Sequence, residues 1–222
     1  MRTHFTFIFI VLITHILYNN KEITQFDVES KNCTANILQH NLIFAKSLIR
    51  NKVYNFPYKQ NTLIRDSLPH LFEALLKLNN MTFNAPRGYI ELKPINNGQM
   101  EYEAAYKNPS EKFEVRYAIR NHDYNYPKQI FEMTVLNISG GFLPTYTTFT
   151  LRSVKKEFGA SEGATVVVEP VKEFGSDYKY CLLVYIHKKD VGDGYIFYLA
   201  DNIEIINRLM EPIFHALRFK NR

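Results

Sequence analysis

The stretch Phe113-Glu114-Val115-Arg116-Tyr117-Ala118-Ile119-Arg120 carries the most regular alternation in the chain, with Phe113, Val115, Tyr117 and Ile119 separated by Glu114, Arg116, Ala118 and Arg120. A period of two places successive side chains on opposite sides of a strand. The segment therefore reads as a strand with one apolar and one charged face, and its β-branched and aromatic residues suit a pleated sheet. Upstream, Lys107-Asn108-Pro109-Ser110 turns the chain, and Gln99 to Tyr106 sets Met100, Tyr102, Ala104 and Tyr106 on one face. Arg87 to Lys93 alternates before that, with Asn97-Gly98 as a hairpin signal. These three segments predict an antiparallel meander.

A second meander is expected in the C-terminal third, from Ala164 to Phe174, Tyr178 to His187 and Tyr195 to Ala200, with turns at Gly175-Ser176-Asp177 and Gly192-Asp193-Gly194. Between the meanders, Lys128 to Ile138 is ambiguous between helix and strand, whereas Thr150 to Phe158, stopped at Gly159, reads as a short helix. The closing segment Asn202 to Phe219 is amphipathic through Ile206, Leu209, Met210, Ile213 and Leu217, with Asp201 and Glu204 spaced as a capping box. Pro212 should kink or divide it. The order of strands, helix, strands and helix predicts an α+β fold: an antiparallel sheet built from two three-stranded meanders and covered by helices.

Ahead of the sheet, Thr34 to Ile49 and a segment capped by Ser67 and stopped at Asn79-Asn80 have helical spacing, joined through a polar connection from Tyr54 to Asn61. After Thr82 the period changes from helical to two. At the start, Arg2 precedes an apolar run from Phe5 to Leu17 that ends at Asn19-Asn20-Lys21-Glu22. That run suits a secretory signal, which needs ~7–15 apolar residues, better than a spanning helix, which needs ~20. No small-x-small cleavage site follows it. The expected organisation is 1–20 signal peptide or short anchor, 21–81 helical preamble and 82–222 α+β domain, and export to a periplasmic or extracellular location, with N-terminal membrane anchoring as the alternative.

The block Phe83-Asn84-Ala85-Pro86-Arg87-Gly88-Tyr89, the charged strand Phe113 to Arg120, the short helix ending Phe158-Gly159-Ala160 and the C-terminal meander with its helix together resemble the PsbP-like fold family. The resemblance spans roughly residues 82–220 and rests on element order and an F-x-x-P-x-G-aromatic opening. It implies an exported, non-enzymatic scaffold that docks to other proteins, and no functional residue carries over from it.

Composition narrows the chemistry. The net charge of +5 comes from 27 basic and 22 acidic residues that are interleaved, whereas a nucleic-acid footprint needs clustered Lys and Arg. Seven histidines are scattered, with no H-E-x-x-H or H-x-H spacing, so neither a metal nor a cofactor is expected. Ser139-Gly140-Gly141 and Gly159-Ala160-Ser161-Glu162-Gly163 lack the strand-to-helix context of a nucleophile elbow or phosphate loop. Cys33 and Cys181 permit one disulfide, but Cys181 opens the run Cys-Leu-Leu-Val-Tyr-Ile and reads as a buried strand residue.

The candidate binding residues are Glu101, Glu103, Arg116, Arg120, His187 and Asp190. Glu101 and Glu103 share a polar strand face and oppose Glu114, Arg116 and Arg120 on the next. Such cross-strand pairs contribute at most about 1 kcal/mol each on a solvated face, or they line a docking face or the floor of a cleft beneath a helix. His187-Lys188-Lys189-Asp190 lies at a strand end, where Asp193 can join it, and His122-Asp123 ends another strand. Fifteen tyrosines, among them Tyr89, Tyr102, Tyr106, Tyr117, Tyr185, Tyr195 and Tyr198 on predicted strands, supply amphipathic contact groups. The expected function is binding of another protein or an envelope component without catalysis. The alternatives are a hydrolase-like enzyme with a polar cleft near His187 and a small-ligand carrier.

Overall fold

The computed structural model describes residues 68–95, 97–121 and 126–220. The Phe5–Leu17 run, the Thr34–Ile49 segment, the Ser67 cap, Cys33 and His122-Asp123 lie outside them. In chain order the first elements are α1 (Leu68–Leu78), β1 (Met81–Phe83), β2 (Ile90–Leu92), β3 (Ala104–Lys107) and β4 (Phe113–Arg120). Then follow α2 (Pro127–Ile138), β5 (Thr147–Thr148), α3 (Leu151–Phe158), β6 (Glu162–Val168) and α4 (Lys172–Gly175). The chain closes with β7 (Tyr180–Lys188), β8 (Gly192–Ala200), α5 (Ile203–Met210), a 3-10 turn (Glu211–Ile213) and β9 (Leu217–Phe219).

Both meanders form, and they join into one antiparallel sheet of seven strands in the order β2-β3-β4-β8-β7-β6-β5. The seam is the β4–β8 ladder, which runs from Phe113 opposite Ala200 to Arg120 opposite Asp193. The fold is therefore α+β, as expected. One sheet face carries Glu114, Arg116, Ala118 and Arg120 of β4 in register with Leu199, Phe197, Tyr195 and Asp193 of β8 and then with Cys181, Leu183, Tyr185 and His187 of β7. Phe131, Val135 and Ile138 of α2 and Phe174 of α4 pack onto that face. The opposite face, with Val115, Tyr117, Ile196 and Val184, meets α1, α3, α5 and the β1–β9 ribbon. There Phe83 stacks edgewise on Phe72 at 5.0 Å and on Tyr117 at 4.8 Å. Helix α1, read from the sequence as preamble, thus contributes Phe72 to this core.

The ambiguous Lys128 to Ile138 segment is helical, and Pro127 in its first turn suits a helix start. Helix α3 has the predicted limits: Thr150 Oγ1 accepts from Ser153 N at 3.2 Å, and Gly159 closes the end at φ 62. Helix α5 is capped by Asn202, which accepts from Glu204 N at 2.8 Å, rather than by Asp201. The helical period does not continue to Phe219. The helix ends at Met210, Pro212 sits in the 3-10 turn, and Leu217–Phe219 pairs with Met81–Phe83 as a strand. The predicted strand Ala164 to Phe174 likewise stops at Val168, because Pro170 removes a ladder donor and Lys172–Gly175 turns as a single helical turn.

The expected turn at Gly192-Asp193-Gly194 is the start of β8, and the reversal lies at Lys189 to Val191 with Asp190 at φ 60. Gly192 is needed there for space: a Cβ would lie 2.0 Å from Asn79 Oδ1 and 2.6 Å from the Arg120 carbonyl. All nine residues of β8 are buried, and each large apolar side chain so placed contributes about 1.5–3 kcal/mol.

Gly192→Ala should therefore lower stability by roughly 2–4 kcal/mol in chemical denaturation, through overpacking and backbone strain at φ 153. Gly98→Ala, where a Cβ meets nothing within 4 Å among the described residues, should leave the midpoint nearly unchanged. Equal midpoints for the two variants would contradict the close approach of Asn79.

Candidate functional site

The alternation in β4 predicts a charged face, and the structure buries it. Residues Phe113 to Ile119 are all buried, and Arg116 is 2% exposed. A solvated sheet face is therefore the wrong picture, because α2 and α4 cover it. Charges in such a layer need partners, since an isolated buried ion is far more costly than a paired one.

Arg116 finds its partners in the middle of the sheet. Its Nε donates to Glu114 Oε1 at 2.5 Å, and its Nη1 donates to the Phe174 carbonyl of α4. The guanidinium lies over the Tyr102 ring at 4.7 Å and the Phe174 ring at 5.1 Å. Arg116 is thus paired within its own strand and not with Glu101 or Glu103. Tyr178 hydrogen-bonds Glu114, and burial followed by the Glu114 charge holds its hydroxyl well above the usual range. Burial pushes the nearby Cys181 thiol up to about 12, against the opposing Arg116 charge, so this cysteine stays protonated and packs as a small apolar residue.

A second cluster stands at the end of the same face. Arg120 Nη1 pairs with Glu103 Oε1 at 2.6 Å, the cross-strand pair expected from the sequence. Strand β3 begins at Ala104, and ahead of it the Glu103 carboxylate supplies an acceptor for β4 by accepting from Ile119 N at 2.9 Å. Burial raises the Glu103 pKa above its ordinary 4.5, against the lowering effects of Arg120 and the Ile119 N–H. Glu101 is exposed and enters through its main-chain carbonyl, which accepts from Arg120 Nη2.

On the adjoining strands, Asp193 Oδ1 accepts from the Tyr185 hydroxyl at 2.8 Å and meets His187 Nδ1 at 2.7 Å. A carboxylate oxygen accepts, so Nδ1 carries the proton. Burial and then the Asp193 charge drive the Tyr185 pKa far up, and Tyr195, hydrogen-bonded to Thr134 of α2, is raised chiefly by burial. His187 and Asp193 are 6% and 2% exposed. Asp190, the predicted neighbour of His187, is an exposed turn residue outside the cluster. The sequence offers Asp190 and Asp193 as a polar cluster with His187, and Asp190 stands as the candidate because the glycines on either side of Asp193 imitate a turn. The available signal was register: a reversal at Lys189 to Val191 sets His187 opposite Asp193.

The strand tyrosines are not a contact surface. Tyr102, Tyr106, Tyr117, Tyr185, Tyr195 and Tyr198 are buried, and Tyr89 is half-buried. His215 follows the 3-10 turn instead of lying on a helix, and its Nε2 is 3.0 Å from Glu157 Oε2. Recesses open away from both charged clusters: one of about 400 Å³ is lined by Arg87, His215 and Arg218 among others, and one of about 510 Å³ by Phe142, Val168 and Tyr180 among others. Among the described residues, no group of three or more His, Cys, Asp or Glu is placed to hold a metal ion. No family model matches the chain, and neither a curated protein nor a solved structure matches it.

Two measurements check the buried polar groups. Among the described residues the buried Tyr198 hydroxyl has no hydrogen-bond partner, so Tyr198→Phe should raise stability by about 1 kcal/mol, whereas Tyr185→Phe, losing a bond to a carboxylate, should lower it by about 1.5–3 kcal/mol. For Glu103, the folded chain binds more protons than the unfolded one between 4.5 and the raised folded value, so its contribution to stability falls as pH rises through that interval. The parent's stability relative to Glu103→Gln, read from urea midpoints, should fall as pH rises across this range; a constant difference would remove the burial effect.

Proposed function

We propose that the chain is an exported, non-catalytic binding protein of the PsbP-like kind, whose ligand or partner meets its surface and not its charged interior. The observation that carries this reading is the mutual consumption of the ionisable groups. Arg116 is held by Glu114 and Phe174, Arg120 by Glu103, and His187 and Tyr185 by one oxygen of Asp193. General acid–base catalysis needs a group within reach of substrate, and Glu103, Glu114, Tyr185, His187 and Asp193 are buried, with Arg120 alone of these paired groups partly exposed. What supports the PsbP-like reading is the antiparallel sheet with helices on both faces, entered from the Phe83 to Tyr89 block. Export rests on Arg2 and the apolar run from Phe5 to Leu17; among the described residues no helix is long and apolar enough to cross a membrane.

The hydrolase alternative draws on the His187–Asp193 pair, in which a carboxylate orients an imidazole as a catalytic base requires. Tyr185 shares that carboxylate oxygen, and the three groups lie beneath the sheet's cover. Assays with ester, phosphoester and peptide substrates should show the same background rate for the parent and for His187→Gln. Turnover by the parent that His187→Gln abolishes, with folding preserved, would overturn the non-catalytic reading. N-terminal sequencing of the mature protein should begin beyond Leu17; an intact Met1 on cytoplasmic material would overturn export.

A further inference from the structure

We propose that the recess between the β1–β2 connection and the C-terminal turn binds a small organic anion, an apolar body bearing one carboxylate or phosphate group. This assignment rests on the binding reading above and names the ligand class for it. The recess holds about 400 Å³, within the ~300–1,000 Å³ of small-molecule sites. Pro86, Ile213 and Ala216 form a buried apolar floor, and Tyr89 stands beside them. Arg87, His215 and Arg218 share the same lining.

The charges favour an anion. Arg87 and Arg218 are exposed, and neither is engaged in an ion pair among the described residues. The carboxylate that faces His215 comes from Glu157 of α3, at 3.0 Å from Nε2. The rings of Phe158 and Phe214 lie 5.3 Å and 5.1 Å from the imidazole. A planar guanidinium matches a carboxylate or phosphate with two parallel donors, and the apolar floor accepts the remainder of such a ligand.

The recess is also held in shape. Asn84 N donates to the Ala216 carbonyl at 2.8 Å, continuing the β1–β9 ladder across its base, and the Tyr89 N–H turns back to the Pro86 carbonyl at 3.4 Å. Pro86 and Pro212 restrict one wall each. The two arginines therefore project from backbone that is fixed before any ligand arrives, which lowers the ordering cost of binding. Burial keeps the His215 pKa below its ordinary 6.5, with Glu157 opposing and Arg218 adding to the depression. A bound anion facing Arg87, Arg218 and Glu157 should raise it.

The test is an NMR titration of the full chain with benzoate, phenyl phosphate, inorganic phosphate and benzyl alcohol, following the His215 ring and the Ala216 amide. Saturable shifts are expected with benzoate or phenyl phosphate, together with a raised His215 pKa, and the tighter of the two identifies the head group as carboxylate or phosphate. Inorganic phosphate and benzyl alcohol should bind far more weakly. Arg87→Ala and Arg218→Ala should each weaken binding on the order of tenfold, and Arg87→Lys, which keeps the charge but loses the paired donors, should weaken it by several-fold. Absence of a saturable shift at His215 with either aromatic anion overturns the proposal while leaving the broader binding role intact. Unchanged affinity in the double arginine variant, or equal affinity for inorganic phosphate, overturns it as well. Release of inorganic phosphate from phenyl phosphate in this recess would uphold the site and overturn the non-catalytic reading instead.

Discussion

Strand β4 must bury both of its faces while carrying charge on one of them. It is third in a seven-stranded sheet, with α2 and α4 on its charged side and α1, α5 and the β1–β9 ribbon on its apolar side. Removing one partner of a buried ion pair costs about 3–5 kcal/mol, so the surrounding chain has to supply acceptors at fixed places. Glu114 and the Phe174 carbonyl do so for Arg116. That requirement accounts for α4, a single turn whose carbonyl and ring both meet the guanidinium. Glu103 does the same for Arg120 and simultaneously closes the ladder that β3 leaves open.

The consequence for chemistry follows from where the protons are held. Burial moves the hydroxyls of Tyr185, Tyr195 and Tyr198 upward and sets the Cys181 thiol at about 12. These groups remain protonated and act as donors or packing groups. Glu103 moves the same way, against the pull of Arg120. The polar interior thus works as a scaffold that fixes register between strands, and recognition under the proposed function falls to the surface. The proposed anion recess draws its charges from β9, the β1–β2 connection and the C-terminal turn, all on the other side of the sheet from Arg116.

Local signals in the sequence located most elements. The period-two pattern of Phe113 to Arg120 sets the limits of β4, and Thr150 and Gly159 bound α3 through a side-chain cap and a left-handed closing residue. Alternation alone does not say whether a polar face meets water or a helix, which is why Arg116 and Glu103 read as surface residues. The covering helix α2 was itself ambiguous because its apolar residues Phe131, Val135 and Ile138 sit among polar ones in a segment of mixed propensity. Leu217 to Phe219 continued a helical stripe by letters, yet a tertiary partner, β1, drew it into a ladder. The glycines beside Asp193 imitated a turn, but Gly192 serves a close approach of Asn79 and Arg120. Asp190, whose side chain tolerates positive φ, makes the turn instead. Of the six candidate residues, Glu103, Arg120 and His187 fall in one end cluster, Arg116 in a central one, and Glu101 and Asp190 stay exposed.

Arginine modification by phenylglyoxal, read by mass spectrometry on the native chain, tests the buried charged face most directly. The account predicts that Arg116 is protected until the protein unfolds, while Arg87 and Arg218 react at the rate of exposed side chains. Modification of Arg116 in the native state as fast as Arg87 would contradict it.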